Sequence, residues 1–475
     1  MSAAQAFIRS ERWPLLPPFA VTAFLIAIVV PLQVSLGGTV ITSVRVVVLL
    51  AILPLAFGLF TGRYGRVLPI DWLFLVHTIW IGISLGVTTP QQAVSQFGSV
   101  GSEFFGGYLI GRCLIRDREG FIAMVRLVLG LLVVLFPFVV VEMVTGRPPI
   151  VELLNKLPVL SSVGTTYTNT RMGLERVQGV FPHPIHFGLF CSSLFAIAFT
   201  GLNGTVSTVQ RIFLTILVSF GTFASLSSGA LLPMILQAAL IGWGIALRGV
   251  PRRWLILGVL CMVGYTVIEI VSTRGAMIAI LTRFAFSSHN VYVRQIIFDW
   301  GMMNILGSVE NSIPPARLFG IGLNDWVRPG YMHSGSMDNF WLVMGVRYGI
   351  PGFVLVAGGM LWLIWKVGRC EIEASTPTWH LRRGWTIVFV SLTLSLSTVH
   401  VWGTMYAYVF FLLGTGAWFL EAKAEGGPES AATPAPRREQ RFSRFAGGVS
   451  PAFTGRHSAS AARAQAHGEG SLFRR

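Results

Sequence analysis

Long apolar runs alternate with short polar connections along this chain. Most of the runs approach the ~20 residues a helix needs to cross a bilayer. Twelve lie near 19–36, 40–60, 70–87, 93–115, 121–144, 184–203, 208–227, 230–247, 254–273, 337–366, 384–402 and 404–421. The pattern predicts an all-α polytopic membrane protein with about 12 transmembrane helices. The fourth run is Gly-rich and carries Glu103, so it is expected to face other helices rather than lipid. Its Gly107-x-x-x-Gly111 spacing permits close helix approach. Two connections are long, 145–183 and 274–336. In the second, Ile296, Ile297, Trp300 and Met303 recur at helical spacing and predict a surface-lying amphipathic helix. A short segment, 1–18, precedes the spans. The Ala/Pro/Gly/Arg/Ser-rich tail, 422–475, cannot bury a core and is expected to be disordered.

Composition narrows the class. Of 475 residues 53% are apolar and only 12% charged, about half the ~25% of soluble proteins. Disordered chains, secreted disulfide scaffolds and ordinary soluble enzymes are excluded. Cys113, Cys191, Cys261 and Cys370 show no CxxC spacing, so neither a zinc site nor a disulfide framework is indicated. The polar lead into the first run shows no convincing cleavage site, and that run is expected to stay as a span.

The net charge of +16 raises nucleic acid as a partner, but its placement argues against that. The connections on one side carry Arg63, Arg66, Arg112, Arg116, Arg118, Arg211, Arg248, Arg252, Arg253, Lys366, Arg369, Arg382 and Arg383. The alternating short connections near 37–39, 88–92, 228–229 and 403 carry no Lys or Arg. Basic short loops stay cytoplasmic, so both termini are expected there and the two long loops outside.

Nine further basic residues fall in those outer loops: Arg147, Lys156, Arg171, Arg176, Arg274, Arg283, Arg294, Arg317 and Arg328. Arg45, Arg126 and Arg347 fall within spans. Lipid headgroups or salt bridges to Glu152, Glu175, Asp299, Glu310 and Asp325 account for any one of them. The set as a whole points to a phosphate-bearing ligand, whose oxygens a guanidinium matches bidentately.

Two stretches concentrate the candidate chemistry. Arg176-Val-Gln-Gly-Val-Phe-Pro-His-Pro-Ile-His-Phe-Gly188 places Arg176, His183 and His186 at the start of the sixth span. Pro182 and Pro184 prevent a regular helix through His183, and no acidic partner lies nearby in sequence, so histidines capping the span are preferred to a metal site. The second stretch holds Arg294, Arg328, His333, Asp338, Asn339 and Arg347. Asp338 sits where loop becomes helix and is a natural N-cap. Asp338 and His333 are equally the best-placed general bases near the arginines. Arg347, inside a span, is expected to face a polar cavity. Gly320-x-Gly322 lacks the preceding strand of a nucleotide fold and reads as a turn.

Together these residues resemble the O-antigen ligase/polymerase superfamily. The likeness rests on Arg176…Gly179…Pro182-His-Pro and Phe319-Gly-Ile-Gly-Leu. The run Ser336-Met-Asp-Asn-Phe-Trp-Leu…Arg347-Tyr-Gly-Ile-Pro-Gly is closest to its exopolysaccharide polymerase branch. The layout matches over roughly 20–420, the motifs only at 176–188 and 292–352. The resemblance implies an enzyme of the bacterial inner membrane that transfers an undecaprenyl-diphosphate-linked oligosaccharide at the periplasmic face. It implies no cofactor, and a flippase and a chain-length regulator as pathway partners. Arg176 and Arg294 take the place of the diphosphate arginines; His183, His186, Arg328, Asn339 and Arg347 are further substrate-binding candidates. Two departures stand out. The family's His-Asn pair reads Asp338-Asn339, with His333 five residues earlier, and its Ser-Arg reads Ser227-Ser228-Gly229. Without an outer carboxylate cluster, transfer is expected to be metal-independent. A ligase with a lipid or protein acceptor is the alternative enzyme. A non-catalytic flippase, the competing class, needs polar residues along a path open to both sides, whereas here they crowd into two one-sided loops.

Overall fold

The computed structural model describes residues 16–36, 39–158, 160–166, 170–272 and 288–422. The described residues fall within one compact unit, Met1–Glu425. Nearly all of residues 1–18, the expected disordered tail, Arg274 and Arg283 lie outside the described residues.

The protein is predominantly helical, and each expected span contains a helix. In chain order these are α1 (Phe19–Val29), α2 (Ser43–Phe60), α3 (Pro69–Thr88), α4 (Pro90–Gly101) and α5 (Gly107–Leu114). Then come α6 (Arg118–Thr145), the short α7 (Pro149–Leu154), α8 (Pro184–Ser192), α9 (Thr208–Ala224), α10 (Ser228–Ala246) and α11 (Arg253–Val271). The last four are α12 (Ser288–Leu306), α13 (Phe340–Arg369), α14 (Pro377–Ser395) and α15 (Gly403–Gly414). Among the described residues, eight helical segments are long and apolar enough to cross a membrane. One of them, α11, buries no residue in the bundle yet is apolar along its length, a surface that needs lipid rather than water.

Several boundaries differ from the apolar pattern, each for a local reason. The first run is not helical to residue 36. It stops before Pro31, and β1 (Gln33–Leu36) pairs antiparallel with β2 (Thr39–Thr42). The β-branched Val40-Ile41-Thr42 and the intervening Gly37-Gly38 suit a hairpin better than a helix. This hairpin reaches loop 145–183, where Gln33 and Ser161 exchange backbone hydrogen bonds of 2.8 and 2.9 Å. The fourth run is broken by a π-helical turn at Ser102–Gly106. There Glu103 is buried and accepts from Arg45 Nε at 2.8 Å, so each in-span charge compensates the other. In the eleventh run α14 begins at Pro377, where the Thr376 hydroxyl accepts from Trp379 N–H, and it ends at Ser395. Residues 396–402, expected inside that span, form a connection instead.

Gly107 and Gly111 do bring two helices close. A Cβ at Gly107 would lie 2.4 Å from the Ala407 carbonyl oxygen, and one at Gly111 2.1 Å from that of Phe411. Backbone meets backbone there, so only glycine fits between α5 and α15.

The break in α13 shapes the polar end of the bundle. Pro351 has no N–H to offer Arg347 O, and Gly349 is non-helical with φ 72°. The carbonyls freed by this kink are taken by the connection before α13. Ile321 N–H donates to Val346 O at 2.8 Å and Gly322 N–H to Arg347 O at 3.0 Å. Ile350 N–H donates to Arg317 O at 2.8 Å. Gly320 and Gly322 have φ of 68° and 62°, the turn the sequence predicted. The helix expected in the second long loop is α12, but it packs on α13 instead of lying free on the surface, burying Ile297 and setting Gly301 against Leu342.

Candidate functional site

The stretch carrying Arg176 is clamped from both sides. Glu142, buried near the end of α6, accepts Gln178 N–H at 2.7 Å and Gly179 N–H at 3.0 Å. Val177 N–H donates to Ala224 O at 3.0 Å at the end of α9. The Gln178 side chain holds Gly164 O and Phe181 O and accepts Thr166 N–H, tying the loop to itself. Arg176 is thereby held half-buried, with Nε donating to Ser225 O at 3.3 Å. Arg171 reaches the next carbonyl of the same turn, Leu226 O, at 2.6 Å.

Arg294 arrives at this turn from α12. Its guanidinium lies 3.8 Å from where a Gly229 Cβ would be, and its Nε is buried without a hydrogen-bond partner among the described residues. Ser227-Ser228-Gly229 carries no cation of its own, and α12 supplies one. Burial lowers all three guanidinium pKa values, that of Arg176 to about 10, and Arg171 adds its repulsion to both neighbours. All stay cationic at neutral pH. Asp338 opposes them, favouring the charged forms of Arg294 and His183. Arg171, Arg176 and Arg294 thus gather on one partly dehydrated turn within the field of Asp338, a basic setting that suits an anion.

Asp338 is not the N-cap of α13. Asn339 holds that position, its side chain accepting Leu342 N–H at 3.0 Å. Asp338 instead accepts from the Ser336 hydroxyl at 3.1 Å, and its carboxylate is free of any helix-capping duty. Among the further candidates, His333 is exposed and takes part in no hydrogen bond or ion pair among the described residues. Arg328 is spent on Asp325 at 2.5 Å and Met332 O at 3.0 Å. Asn339, buried as a cap, is structural.

The two histidines play different parts. His183 caps α8, its Nδ1 accepting Ile185 N–H at 3.1 Å, as the flanking prolines suggested. Burial, reinforced by Arg176, lowers its pKa to about 4, so it is neutral at physiological pH. His186 is fully buried one turn on, its ring 3.9 Å from that of Trp402.

Trp402 and His400 come from the 396–402 connection. Together with Arg347 they line both a cleft of about 530 Å³ beside Trp326 and a smaller one of about 230 Å³ that reaches Arg45 and Glu103. Arg347 does face a polar cavity. His400 is held neutral, its pKa lowered by burial and by Arg347 to about 3. An apolar groove of about 450 Å³ runs along α9 past Ile212, Ile216, Phe220 and Phe223. It ends two residues short of the Ser225 carbonyl that Arg176 holds. Among the described residues no three His, Cys, Asp or Glu side chains gather as a metal ion requires.

The structure therefore brings Arg176, His183, His186, Arg294 and Asp338 to one end of the bundle, with Arg347 in the adjoining cleft. His333, Arg328 and Asn339 take no part in this cluster. Sequence reasoning did not single out Glu142, Gln178, Arg171, His400 or Trp402 for the site. Glu142 left a signal, a lone carboxylate in a run of apolar residues. His400 and Trp402 were hidden inside an expected span.

Fold and site define a helical membrane protein with a basic, partly buried cluster at one end of its bundle. No protein-family model matches the chain, and neither does any curated protein.

Proposed function

We propose that this protein is a polysaccharide polymerase. It joins undecaprenyl-diphosphate-linked oligosaccharide repeat units at the periplasmic face of a bacterial inner membrane, in exopolysaccharide or O-antigen synthesis. In this reading the chain crosses twelve times, once in each apolar run, both termini are cytoplasmic, and loops 145–183 and 274–336 lie outside. Cysteine-accessibility labelling at 160 and 310 tests that topology, since labelling from the cytoplasm alone would reverse it.

The observation that carries the reading is the convergence of Arg171, Arg176 and Arg294 on the turn that follows α9, the helix whose outer residues line an apolar groove. A diphosphate joined to a long isoprenoid has these two halves. The acceptor hydroxyl oxygen forms the new bond to the donor's anomeric carbon, and the bond from that carbon to the diphosphate oxygen breaks. Negative charge grows on the departing diphosphate. Arg176 and Arg294 stabilise it in a site already organised to do so, which is where electrostatic catalysis gains most. The hydroxyl proton passes to Asp338, whose carboxylate is free of capping duty and lies within the field of Arg294 and His183. The clefts around Trp402, Arg347 and His400 offer polar and aromatic walls for sugars.

Purified protein given lipid-diphosphate repeat units alone, without ATP or added metal, is expected to produce a ladder of lengthening products. Transfer only after a lipid or protein acceptor is added would make it a ligase. Movement of unchanged lipid-linked glycan across the bilayer would make it a flippase.

A further inference from the structure

The opposite end of α13 carries a second charged cleft, which has no part in the proposed reaction. It is about 520 Å³ in volume and lies between the start of α3 and the end of α13. Arg66, Lys366 and Arg369 line it, with Trp362, Trp365 and Leu420 as an apolar wall. The Trp365 ring holds two of these cations, Lys366 Nζ at 5.0 Å and the Arg369 guanidinium at 5.1 Å from its centroid.

Two of the acidic residues nearby, Asp71 and Glu421, are turned to other partners. Asp71 is fully buried and accepts Leu68 N–H at 2.7 Å, the Tyr108 hydroxyl at 2.5 Å and Arg112 Nε at 3.3 Å. Arg112 in turn holds Arg66 O at 2.8 Å, fixing the backbone at the rim of the cleft. The Glu421 carboxylate packs on Gly65 and lies in the field of Arg112. None of the three cleft cations takes part in an ion pair among the described residues. Three like charges are thus held together with no carboxylate among the described residues that line the cleft, an arrangement that an anion completes.

The apolar wall says which kind of anion. Trp362 and Trp365 stand at the end of a long apolar helix, where indoles mark the boundary between acyl chains and water. Trp365 and Leu361, one turn before it on α13, are about half exposed, leaving apolar surface for chains to lie against. Inorganic phosphate has no use for such a wall, whereas a phospholipid fills both parts. We propose that this cleft binds the phosphate headgroup of an anionic phospholipid, at the end of the bundle opposite the Arg176 cluster.

The test uses the full-length protein in neutral detergent, with melting followed against dihexanoyl phosphatidylglycerol, dihexanoyl phosphatidylcholine or inorganic phosphate. Phosphatidylglycerol is expected to raise the melting temperature at concentrations where the other two do not. Removing one cleft cation is expected to weaken the apparent affinity roughly fivefold. The combined R66Q, K366Q and R369Q variant is expected to lose the preference for phosphatidylglycerol. All three positions are exposed, and Lys366→Gln alone repeats the test should the triple variant not purify. Arg248→Gln with Arg252→Gln, exposed cations on another connection, should leave the affinity as it is. The proposal fails if the cleft variants bind phosphatidylglycerol like wild type, if the control pair loses as much, or if inorganic phosphate stabilises equally well. None of these outcomes depends on the polymerase reading.

Discussion

Replacing Arg176 separates holding a charge from holding a loop. The side chain contributes one bond to the fold, from Nε to the neutral Ser225 carbonyl at 3.3 Å. A bond of that kind is worth about 0.5–1.5 kcal/mol, and its length puts it toward the lower end. The rest of the clamp is independent of the side chain, since Val177, Gln178 and Gly179 are fastened through their backbone N–H groups. Arg176→Ala should therefore cost about 1 kcal/mol of stability, which in a protein of this size lowers the melting temperature by roughly 2 °C. Loss of a donor to a developing anion costs far more, about 10²–10³-fold in rate. Arg176→Lys keeps the charge, but one ammonium cannot hold Ser225 O and also present a planar pair of N–H groups, so it should recover little. The measurements are the initial rate of ladder formation from lipid-diphosphate repeats and the melting temperature of the same preparation. Near-normal polymerisation by the alanine variant would refute the reasoning. So would a loss of activity accompanied by a collapse in melting temperature, which would make Arg176 a structural residue.

Three further expectations follow from the geometry. Asp338→Asn should lower the rate about 10²–10⁴-fold with an unchanged melting temperature, because Asn339 does the capping. His333→Ala should stay active, and the reverse pattern would move the base to His333. Gly111→Leu forces a side chain to within 2.1 Å of a backbone oxygen that cannot swing away. It should destabilise the protein by about 3 kcal/mol or more, and a wild-type melting temperature would contradict that packing. Acid should also weaken the fold. His183 is held at about 4 and His400 at about 3, both below the ordinary ~6.5, so the unfolded chain takes up protons first. Their stabilising contribution is full above about pH 6.5 and is lost as pH falls toward 4. His183→Asn, which retains a capping side chain, should flatten the melting-temperature profile over that window, and an unchanged slope would exclude His183 as a cause.

Most of the helical architecture was legible in the chain alone, because bilayer transfer and helix capping are local. An apolar run announces a helix wherever it packs. Pro184 marks a helix start through its own bonding limits, whereas the sequence offered Asp338 as the cap that Asn339 supplies and a start near 384 for the helix that begins at Pro377. Pro182 and Pro184 likewise announced that His183 would cap rather than continue a helix. Where apolarity misled, a competing local preference won, as when Pro31 and Val40-Ile41-Thr42 turned the end of the first run into a hairpin. The convergence of the site was beyond the reach of any sequence window. Arg171 and Arg176 meet carbonyls about fifty residues away, and Arg294 crosses to Gly229 from another helix. Arg45 finds Glu103 across the bundle, which makes both charges tolerable inside apolar runs. His400 and Trp402 read as ordinary span residues until α14 ended early and exposed them to the cleft. Hydrophobic periodicity reports which residues leave water, but a binding site depends on which buried polar groups meet, and only tertiary packing decides that.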